Sequence, residues 1–217
     1  MVLVPVKRPD YRQHHNYGRE DELPVVLVTR EPEGNRLPFV GADDERGVSS
    51  AVAHLAELGH ERIAHLAGPP HLSTTTHRTE AFRRAMAVHL PGVEGAVVHG
   101  PGFTVEGGSI ACRELLQRHP PVTAIVAGND MMALGALESL AVAGHACPAE
   151  VSVVGHNDMP FMARVTPPLT TVAIPQQEIG ARAARMLLTL RDGGTPDPVR
   201  QLVATTLVVR ASTAPPP

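Results

Sequence analysis

The feature that most constrains this chain is a regular alternation of short apolar runs with longer amphipathic stretches. The runs are rich in Val, Ile and Ala and end at Gly or another turn residue, which is typical of buried strands. Their centres recur roughly every 30 residues, the length of a βαβ unit, whose strands run parallel. The pattern therefore predicts a doubly wound α/β fold with a parallel sheet. Its strands are expected at residues 63–67, 96–98, 124–127 and 151–155, and its helices at 76–89, 105–118 and 131–143.

The same alternation continues on both sides of this block, but it is incomplete there. These flanking elements are too few for a second full sheet, so the chain is expected to begin partway into a fold. A tail at 214–217 is expected to be unstructured. The flanking strands are expected at residues 2–6, 25–28, 39–40, 169–172 and 202–209, and the flanking helices at 47–58 and 175–190.

Composition narrows the class of protein. With 217 residues, 43% of them hydrophobic, the chain can bury a sizeable core. The net charge of −3 argues against this chain alone holding a duplex, because phosphate binding needs a concentrated basic face. Cys112 and Cys147 have no metal or disulfide spacing, which favours a reducing compartment. Without an export signal or a run of ~20 apolar residues, we expect a cytoplasmic protein with no membrane span.

Polar or glycine-rich turns follow each of the four central strands. Parallel strands end at the same edge of a sheet, so these turns are expected to converge, and open α/β sheets bind their ligands at that edge. Together the turns predict a site for a small polar molecule. The strands are expected to close at Gly68, Gly100, Asn129 and Gly155.

Three side chains close to the first two turns are candidate ligand contacts. Arg78 can donate a planar fork of hydrogen bonds to hydroxyls or a carboxylate, or it can be an ordinary surface arginine. Phe103 can stack on a sugar or base ring, or it can plug its loop onto the core. Ser73 is the last residue of the first turn. The sequence Ser73-Thr-Thr-Thr76 is also typical of the start of a helix.

Two polar pairs follow the last two strands of the block. Asn129 and Asp130 can fix ligand hydroxyls, although Asp130 also suits the N-cap of the next helix. Asn157 and Asp158 can bind hydroxyls as well, or they can close an Asx turn.

Enzyme motifs are not supported. His60 and His65 are five residues apart rather than the four of a zinc-binding HExxH helix, and His65 falls in a predicted strand. The sequence has neither a nucleophile elbow nor a phosphate-binding P-loop. We therefore expect no catalysis, no metal and no cofactor.

From Leu23 to Thr213 the sequence resembles the effector-binding core of LacI/GalR-type transcriptional regulators. Several motifs carry this resemblance through their order and spacing. They are Pro24-Val-Val-Leu-Val28, Val40-Gly-Ala-Asp-Asp44, His54-Leu-Ala-Glu-Leu-Gly-His60, Leu66-Ala-Gly-Pro-Pro70, Asn129-Asp-Met-Met-Ala-Leu-Gly-Ala136, Val151-Ser-Val-Val-Gly155 and Thr166-Pro-Pro-Leu-Thr-Thr-Val172.

The resemblance implies two Rossmann-like lobes of periplasmic-binding-protein-like type, with the effector held in the cleft between them. It implies that the helix-turn-helix head, the hinge and the first units of the N-terminal lobe have no counterpart here. The expected division is a partial N-terminal lobe at 1–60 with 174–195, a complete C-terminal lobe at 61–173 with 196–213, and the tail at 214–217.

The resemblance also assigns residues. Arg78, Phe103, Asn129 and Asn157 match the family's effector contacts. The family usually has Asp where Asn157 stands, and often Asp at the position of Thr29. The neutral side chains of this sequence therefore lack carboxylates that would be strong acceptors for sugar hydroxyls. The expected ligand-binding set is Arg78, Phe103, Asn129, Asn157, Ser73, Asp130, Thr29 and Asp158.

The implied function is the effector-sensing domain of a repressor, with a sugar, polyol or nucleoside as ligand. Binding would shift the population of lobe arrangements and pass the change to a homodimer partner and its DNA heads. DNA would be bound only through a head that is not in this chain. Two alternatives stay open: a sugar-binding protein of a transporter, and a truncated remnant that binds nothing.

Overall fold

The computed structural model describes residues 2–3, 24–32, 34–118 and 121–217, which form ten strands and five helices. The strands are β1 (Val2–Leu3), β2 (Val26–Val28), β3 (Phe39–Ala42), β4 (Ile63–Ala67), β5 (Ala96–His99), β6 (Ala124–Ala127), β7 (Ser152–Asn157), β8 (Thr170–Ala173), β9 (Arg200–Val203) and β10 (Thr206–Val208). The helices are α1 (Asp44–Glu57), α2 (Ser73–His89), α3 (Val105–Arg118), α4 (Asp130–Val142) and α5 (Gln176–Arg191).

The chain divides into two compact units. The larger unit comprises Asp44–Pro70, Thr75–Ile174 and Thr205–Pro217. The smaller unit comprises the described residues up to Asp43, together with His71–Thr74 and Pro175–Ala204.

The larger unit is built on a six-stranded sheet in the order β10-β8-β7-β6-β4-β5. All neighbouring strands are parallel except β10, which runs antiparallel to β8. This confirms the predicted α/β parallel-sheet class, and the four central strands lie within two residues of their expected positions. Such agreement follows from continuous apolar runs, which are typical of strands buried on both faces.

Both faces of this sheet are covered by helices. Successive residues of a strand point to opposite faces, so each strand contributes apolar side chains to both helix layers. Ala64 and Leu66 of β4 lie in the core cluster with α3 and α4, whereas Ile63 lies in the cluster with α1 and α2. The fully buried Phe82 and Leu55 fill the second cluster. The sheet is thereby fixed between two apolar layers, and its carboxyl edge is left for polar turns.

Helices α3 and α4 approach each other closely, through glycine. A Cβ atom on Gly135 would lie 2.0 Å from the carbonyl oxygen of Val105, and one on Gly108 would lie 2.2 Å from that of Met132. No side chain larger than hydrogen fits at either position. These two contacts set the separation of the helices that carry Phe103 and Asn129 at their amino ends.

The smaller unit has a parallel sheet in the order β1-β2-β3-β9. Helix α5 buries Ile179, Ala183 and Met186, and its N-cap is Pro175. The strand expected at 2–6 is present as β1 at Val2–Leu3, and its remaining residues, 4–6, lie outside the described residues.

One expectation about organisation is wrong. The single strand expected at 202–209 is two strands in different sheets, since β9 runs parallel to β3 and β10 antiparallel to β8. The two compact units divide the chain at other residues than the lobe boundaries expected from the resemblance, which stay a prediction. Helix α1 belongs to the larger unit, because Val48, Val52 and Leu55 pack in its core, whereas β9 and residues 71–74 belong to the smaller unit.

Residues 214–217, expected to be an unstructured tail, form no helix or strand, although Ala214 is hydrogen-bonded to the larger unit. The backbone N–H of Ala214 donates to Ser152 Oγ at 3.0 Å, and its carbonyl oxygen lies 2.8 Å from Nε2 of the buried His60. Across the described residues, no helix is both long and apolar enough to cross a membrane.

Candidate functional site

The carboxyl ends of β4, β5 and β6 meet at one edge of the larger sheet, as predicted. The backbone N–H of Gly100 donates to the carbonyl oxygen of Ala67 at 2.8 Å, and that of Gly128 donates to Leu66 at 2.7 Å. Three turns therefore begin side by side. We call this edge, with Gly68, Gly100, Gly128 and the end of β7, the rim.

The prediction that β7 closes at Gly155 is wrong. The strand continues to Asn157, and Gly155 pairs with Thr171 inside the sheet. A Cβ atom on Gly155 would lie 2.4 Å from Oδ1 of Asp130. The glycine is needed because a buried carboxylate approaches the strand there, not because the chain turns.

Phe103 covers the middle of the rim. A Cβ atom on Gly68 would lie 2.4 Å from Cζ of its ring, and one on Gly128 would lie 3.1 Å from Cε1. The ring is half-buried and packs against the core cluster of α3 and α4. This contact fits the expectation of a plug on the core, and the exposed part of the ring is left at the rim.

Asn129 is the N-cap of α4, a role that the sequence had suggested for Asp130. Its Oδ1 accepts from the backbone N–H of Met132 at 2.9 Å, and its Nδ2 donates to the carbonyl oxygen of Phe103 at 3.1 Å. Both polar groups of the side chain thus have protein partners, and they hold the Phe103 turn to the start of α4.

Asp130 is the first residue of α4 and is fully buried. Its Oδ1 accepts from Thr171 Oγ1 at 2.5 Å, and its Oδ2 accepts from the backbone N–H of Met159 at 2.8 Å. Burial raises its pKa, although these hydrogen bonds oppose the shift. Both carboxylate oxygens are therefore occupied in tying α4 to β8 and to the loop after β7.

Arg78 lies in α2 with only 5% of its surface exposed, so it is not the surface arginine of the alternative interpretation. Its Nε donates to Oδ1 of Asp44 at 2.9 Å, and its Nη1 donates to the carbonyl oxygen of Gly128 at 2.6 Å. The guanidinium therefore links the start of α1 to the rim turn after β6. Asp44 belongs to a motif of the sequence, but its pairing with Arg78 was not predicted.

The environment of Asp44 keeps it ionised. Burial alone would raise the pKa of Asp44, but the charge of Arg78 and the contacts with His156 and Arg78 outweigh burial and hold the pKa well below its usual range. His156 Nε2 lies 3.3 Å from Oδ1 of Asp44 without hydrogen-bond geometry. Burial, and then the charge of Arg78, lower the pKa of His156 to about 4, so it is neutral beside the ion pair at pH 7.

A second buried histidine lies on the same face of the sheet. His65 Nδ1 lies 2.8 Å from the carbonyl oxygen of Val126, and its ring stacks on Phe82 with centroids 5.2 Å apart. Burial is the main reason that its pKa falls to about 4. From the sequence alone, His65 was considered only as a zinc ligand and was rejected. Because His65 lies two residues after Ile63 in a buried strand, the two side chains point to the same face of the sheet, and this spacing could have predicted that His65 is buried there.

Asn157 and Asp158 have unusual backbone conformations at the end of β7, with φ values of +124° and +54°. Asp158 Oδ1 accepts from Nη2 of Arg210 at 2.7 Å, so its side chain is paired. The Asn157 side chain makes no hydrogen bond to the part of the chain that the structure describes. Of the polar residues predicted at the rim, it is the one with its whole side chain available.

Ser73 and Thr29 belong to the smaller unit. Ser73 Oγ accepts from the backbone N–H of Glu31 at 3.2 Å. Thr29 is exposed after β2, with φ +66°, and its backbone N–H donates to the carbonyl oxygen of Val40 at 3.0 Å. Their assignment to the ligand site stays a prediction.

A groove of about 250 Å³ runs between α3 and α4, but no rim residue lines it. Its Arg113 already donates to Ser109 Oγ at 2.6 Å, and its Val142 is 86% exposed. Within residues 2–3, 24–32, 34–118 and 121–217, no group of three or more His, Cys, Asp or Glu side chains is placed to hold a metal ion. The rim is therefore the better candidate for a polar ligand.

The family of this chain follows from its similarity to known proteins. Residues 52–213 match the family described as periplasmic binding protein-like domain. The HTH-type transcriptional regulator MalR of Streptomyces coelicolor is 39% identical over 207 residues, which are 93% of this chain and 59% of that protein. The chain thus spans less than two thirds of this relative.

Solved structures of transcriptional regulators have a similar fold. A transcriptional regulator CelR–cellobiose complex has a TM-score of 0.81 at 36% identity, covering 87% of this chain and 58% of that one. A dimeric Lac repressor with a C-terminal deletion has a TM-score of 0.83 at 26% identity, covering 91% and 71%. The chain therefore belongs to the periplasmic binding protein-like domain family, and it corresponds to the effector-binding core of LacI-family transcriptional regulators.

Proposed function

We propose that this chain is the effector-sensing part of a DNA-binding repressor and that its rim takes a small neutral ligand, a sugar, polyol or nucleoside. The observation that carries the proposal is Arg78, a buried arginine held at the carboxyl edge of a parallel sheet, where such folds bind ligands. Asn157 provides an unpaired amide at the same edge, and Phe103 provides an apolar ring face.

The comparisons support this ligand class. A solved relative is a complex with cellobiose, a neutral sugar with many hydroxyl groups. Arginine N–H groups and an asparagine amide suit such a ligand, because together they offer donors and an acceptor to hydroxyls. Since the relatives are named as transcriptional regulators, they favour a sensor over a transporter component.

Isothermal titration calorimetry of the purified chain tests the proposal. The panel consists of neutral sugars and nucleosides, beginning with cellobiose, and we expect saturable binding of at least one. Arg78→Lys keeps the charge but loses the planar fork, so its affinity for that ligand should fall by about tenfold or more.

Arg84→Ala is the matched control. Arg84 lies on the same helix and is ion-paired with Glu45, but its side chain is exposed and makes none of the contacts described at the rim. Its substitution should leave the affinity unchanged. No binding across the panel, or equal losses in the two arginine variants, would contradict the proposal.

The rest of the regulator is proposed from the family. We infer that the chain acts as a homodimer in the cytoplasm and that DNA is read by a segment outside these 217 residues, since MalR is an HTH-type regulator and a solved relative is a dimeric Lac repressor. Ligand binding would change the dimer by a population shift, without chemistry on the ligand. Sedimentation of the chain with and without ligand tests the dimer; a monomer at every concentration would contradict it.

A further inference from the structure

The Arg78 guanidinium already makes two hydrogen bonds within the protein. Nε donates to Asp44 and Nη1 to the Gly128 carbonyl oxygen, and no described residue accepts from Nη2. Two of its three nitrogens therefore fix the orientation of the group. The second N–H of Nη1 and both N–H groups of Nη2 are left to donate to a ligand oxygen.

The charge of Arg78 is also balanced inside the protein. Asp44 lies 2.9 Å from Nε, and both side chains are nearly buried, with 6% and 12% of their surfaces exposed. The third member of the group, His156, is neutral at pH 7 because burial lowers its pKa. Asp44, Arg78 and His156 together carry no net charge, although Arg78 keeps N–H donors that none of the three groups uses.

The other charged groups of the rim are likewise occupied. Both oxygens of Asp130 accept hydrogen bonds, and Asp158 is paired with Arg210 at 2.7 Å. Among these described groups an anionic ligand would find no unbalanced positive charge, so the cost of removing the anion from water would not be offset. An uncharged ligand rich in oxygen atoms meets the Nη2 donor and the Asn157 amide at no such cost.

From this geometry we infer that Asp44 is a positioning residue that holds Arg78 and cancels its charge, so that the rim selects uncharged, oxygen-rich ligands and rejects anions. The inference rests on the proposed function, and it adds Asp44 as a residue that determines the ligand specificity of the rim. Asp44 acts through Arg78.

Asp44→Asn is the direct test. Asn keeps the size of the side chain and an oxygen that accepts from Nε, but it leaves the guanidinium with an unbalanced charge. Titration calorimetry should show that affinity for the neutral ligand, with cellobiose as first probe, falls by about tenfold. Affinity for inorganic phosphate should rise by about tenfold or more, whereas loss of a merely structural residue would weaken both.

Glu45→Gln is the matched control, because Glu45 is the adjacent carboxylate and pairs with the exposed Arg84. It should change neither affinity. Asp44→Glu keeps the charge and should restore the preference for the neutral probe. If Asp44→Asn gains no phosphate affinity while it melts cooperatively, the inference is overturned.

A measurement on the unaltered chain covers the case in which Asp44→Asn fails to fold. Phosphate should neither bind the unaltered chain nor compete with the neutral ligand, and binding of that ligand should not depend on NaCl concentration, as it would for an unbalanced charge. Phosphate binding or competition would overturn the inference. If the unaltered chain binds no neutral probe but Asp44→Asn binds phosphate, the proposed function fails and the role of Asp44 stands.

Discussion

Thr171 donates its hydroxyl hydrogen bond to Oδ1 of Asp130 at 2.5 Å, and this contact joins the first turn of α4 to β8 across the larger sheet. Asp130 is fully buried, so its oxygens have no alternative partner in water. A buried carboxylate that loses a donor retains its full desolvation penalty. The pair is therefore a stability element behind the rim.

The first prediction follows from this pair. Thr171→Val removes the hydroxyl with little change in shape and should lower the free energy of unfolding by about 1.5–3 kcal/mol, measured by urea denaturation. Thr206→Val, on the exposed face of β10, is the control and should stay within about 0.5 kcal/mol. Equal effects at the two threonines would show that the buried hydrogen bond contributes nothing.

The second prediction concerns acid. His65 and His156 have pKa values lowered to about 4 in the folded protein, mainly by burial, against an ordinary value of 6.5. The unfolded chain thus binds more protons between those values, so stability is full above about pH 6.5 and is lost as pH falls towards 4. Each histidine should contribute on the order of 1–3 kcal/mol to that loss.

Below that window Asp44 adds to the loss, because its pKa is held under the ordinary value and protonation breaks its pairing with Arg78. Denaturant unfolding at a series of pH values from 7 to 4 measures the slope. His156→Asn should reduce it, whereas His71→Gln, at an exposed histidine, should not. A flat profile between pH 6.5 and 4.5 would show that the two rings are not held neutral.

The third prediction tests the approach of α3 to α4. Gly135→Ala would place a Cβ atom 2.0 Å from the carbonyl oxygen of Val105, and backbone cannot rotate away as a side chain does. The helices must separate, so the free energy of unfolding should fall by about 2–4 kcal/mol. The loss should appear as a lower melting temperature.

A second helical glycine provides the opposite case. Gly180 of α5 is exposed, and a Cβ atom there would meet nothing within 4 Å. Gly180→Ala should therefore stabilise the protein by about 0.5–1 kcal/mol, through helix propensity alone. The two substitutions are chemically identical, so a shared sign would contradict the packing explanation.

Sequence patterns predicted the central sheet because Ala124–Ala127 is a continuous apolar run, Ile63–Ala67 is apolar except for His65, and turn residues follow both. The convergence of Gly68, Gly100 and Asn129 followed from the parallel order of the strands. Residues 202–209 were read as one strand, because periodicity does not record that a chain leaves one sheet for another at Ala204.

Roles of single side chains were harder to predict. Asp44 and Arg78 are 34 residues apart, and their pairing depends on how α1 and α2 pack on the sheet, which no local pattern encodes. Asn129 and Asp130 are both good N-cap residues, and burial decided between them: Asp130 is drawn to Thr171 and Met159, so Asn129 caps the helix.

The fourth prediction concerns Asn157, whose φ of +124° lies in a region that residues with a Cβ atom rarely occupy. The structure offers its side chain no hydrogen bond within the described residues that would compensate for this conformation. A strained backbone conformation that no hydrogen bond of the side chain stabilises is typical of residues that bind a ligand. Asn157→Gly should therefore stabilise the free protein by about 1 kcal/mol while weakening the ligand that the calorimetry identifies.

Paired melting and titration experiments measure both effects on one variant. Asn157→Ala is the control, because it loses the amide but keeps the Cβ atom, and so should weaken the ligand without the gain in stability. If Asn157→Gly is less stable than the unaltered chain, the backbone is not strained there. If it binds the ligand as tightly as before, the amide is not a contact, and Arg78 with Phe103 would have to account for recognition at the rim of the larger unit.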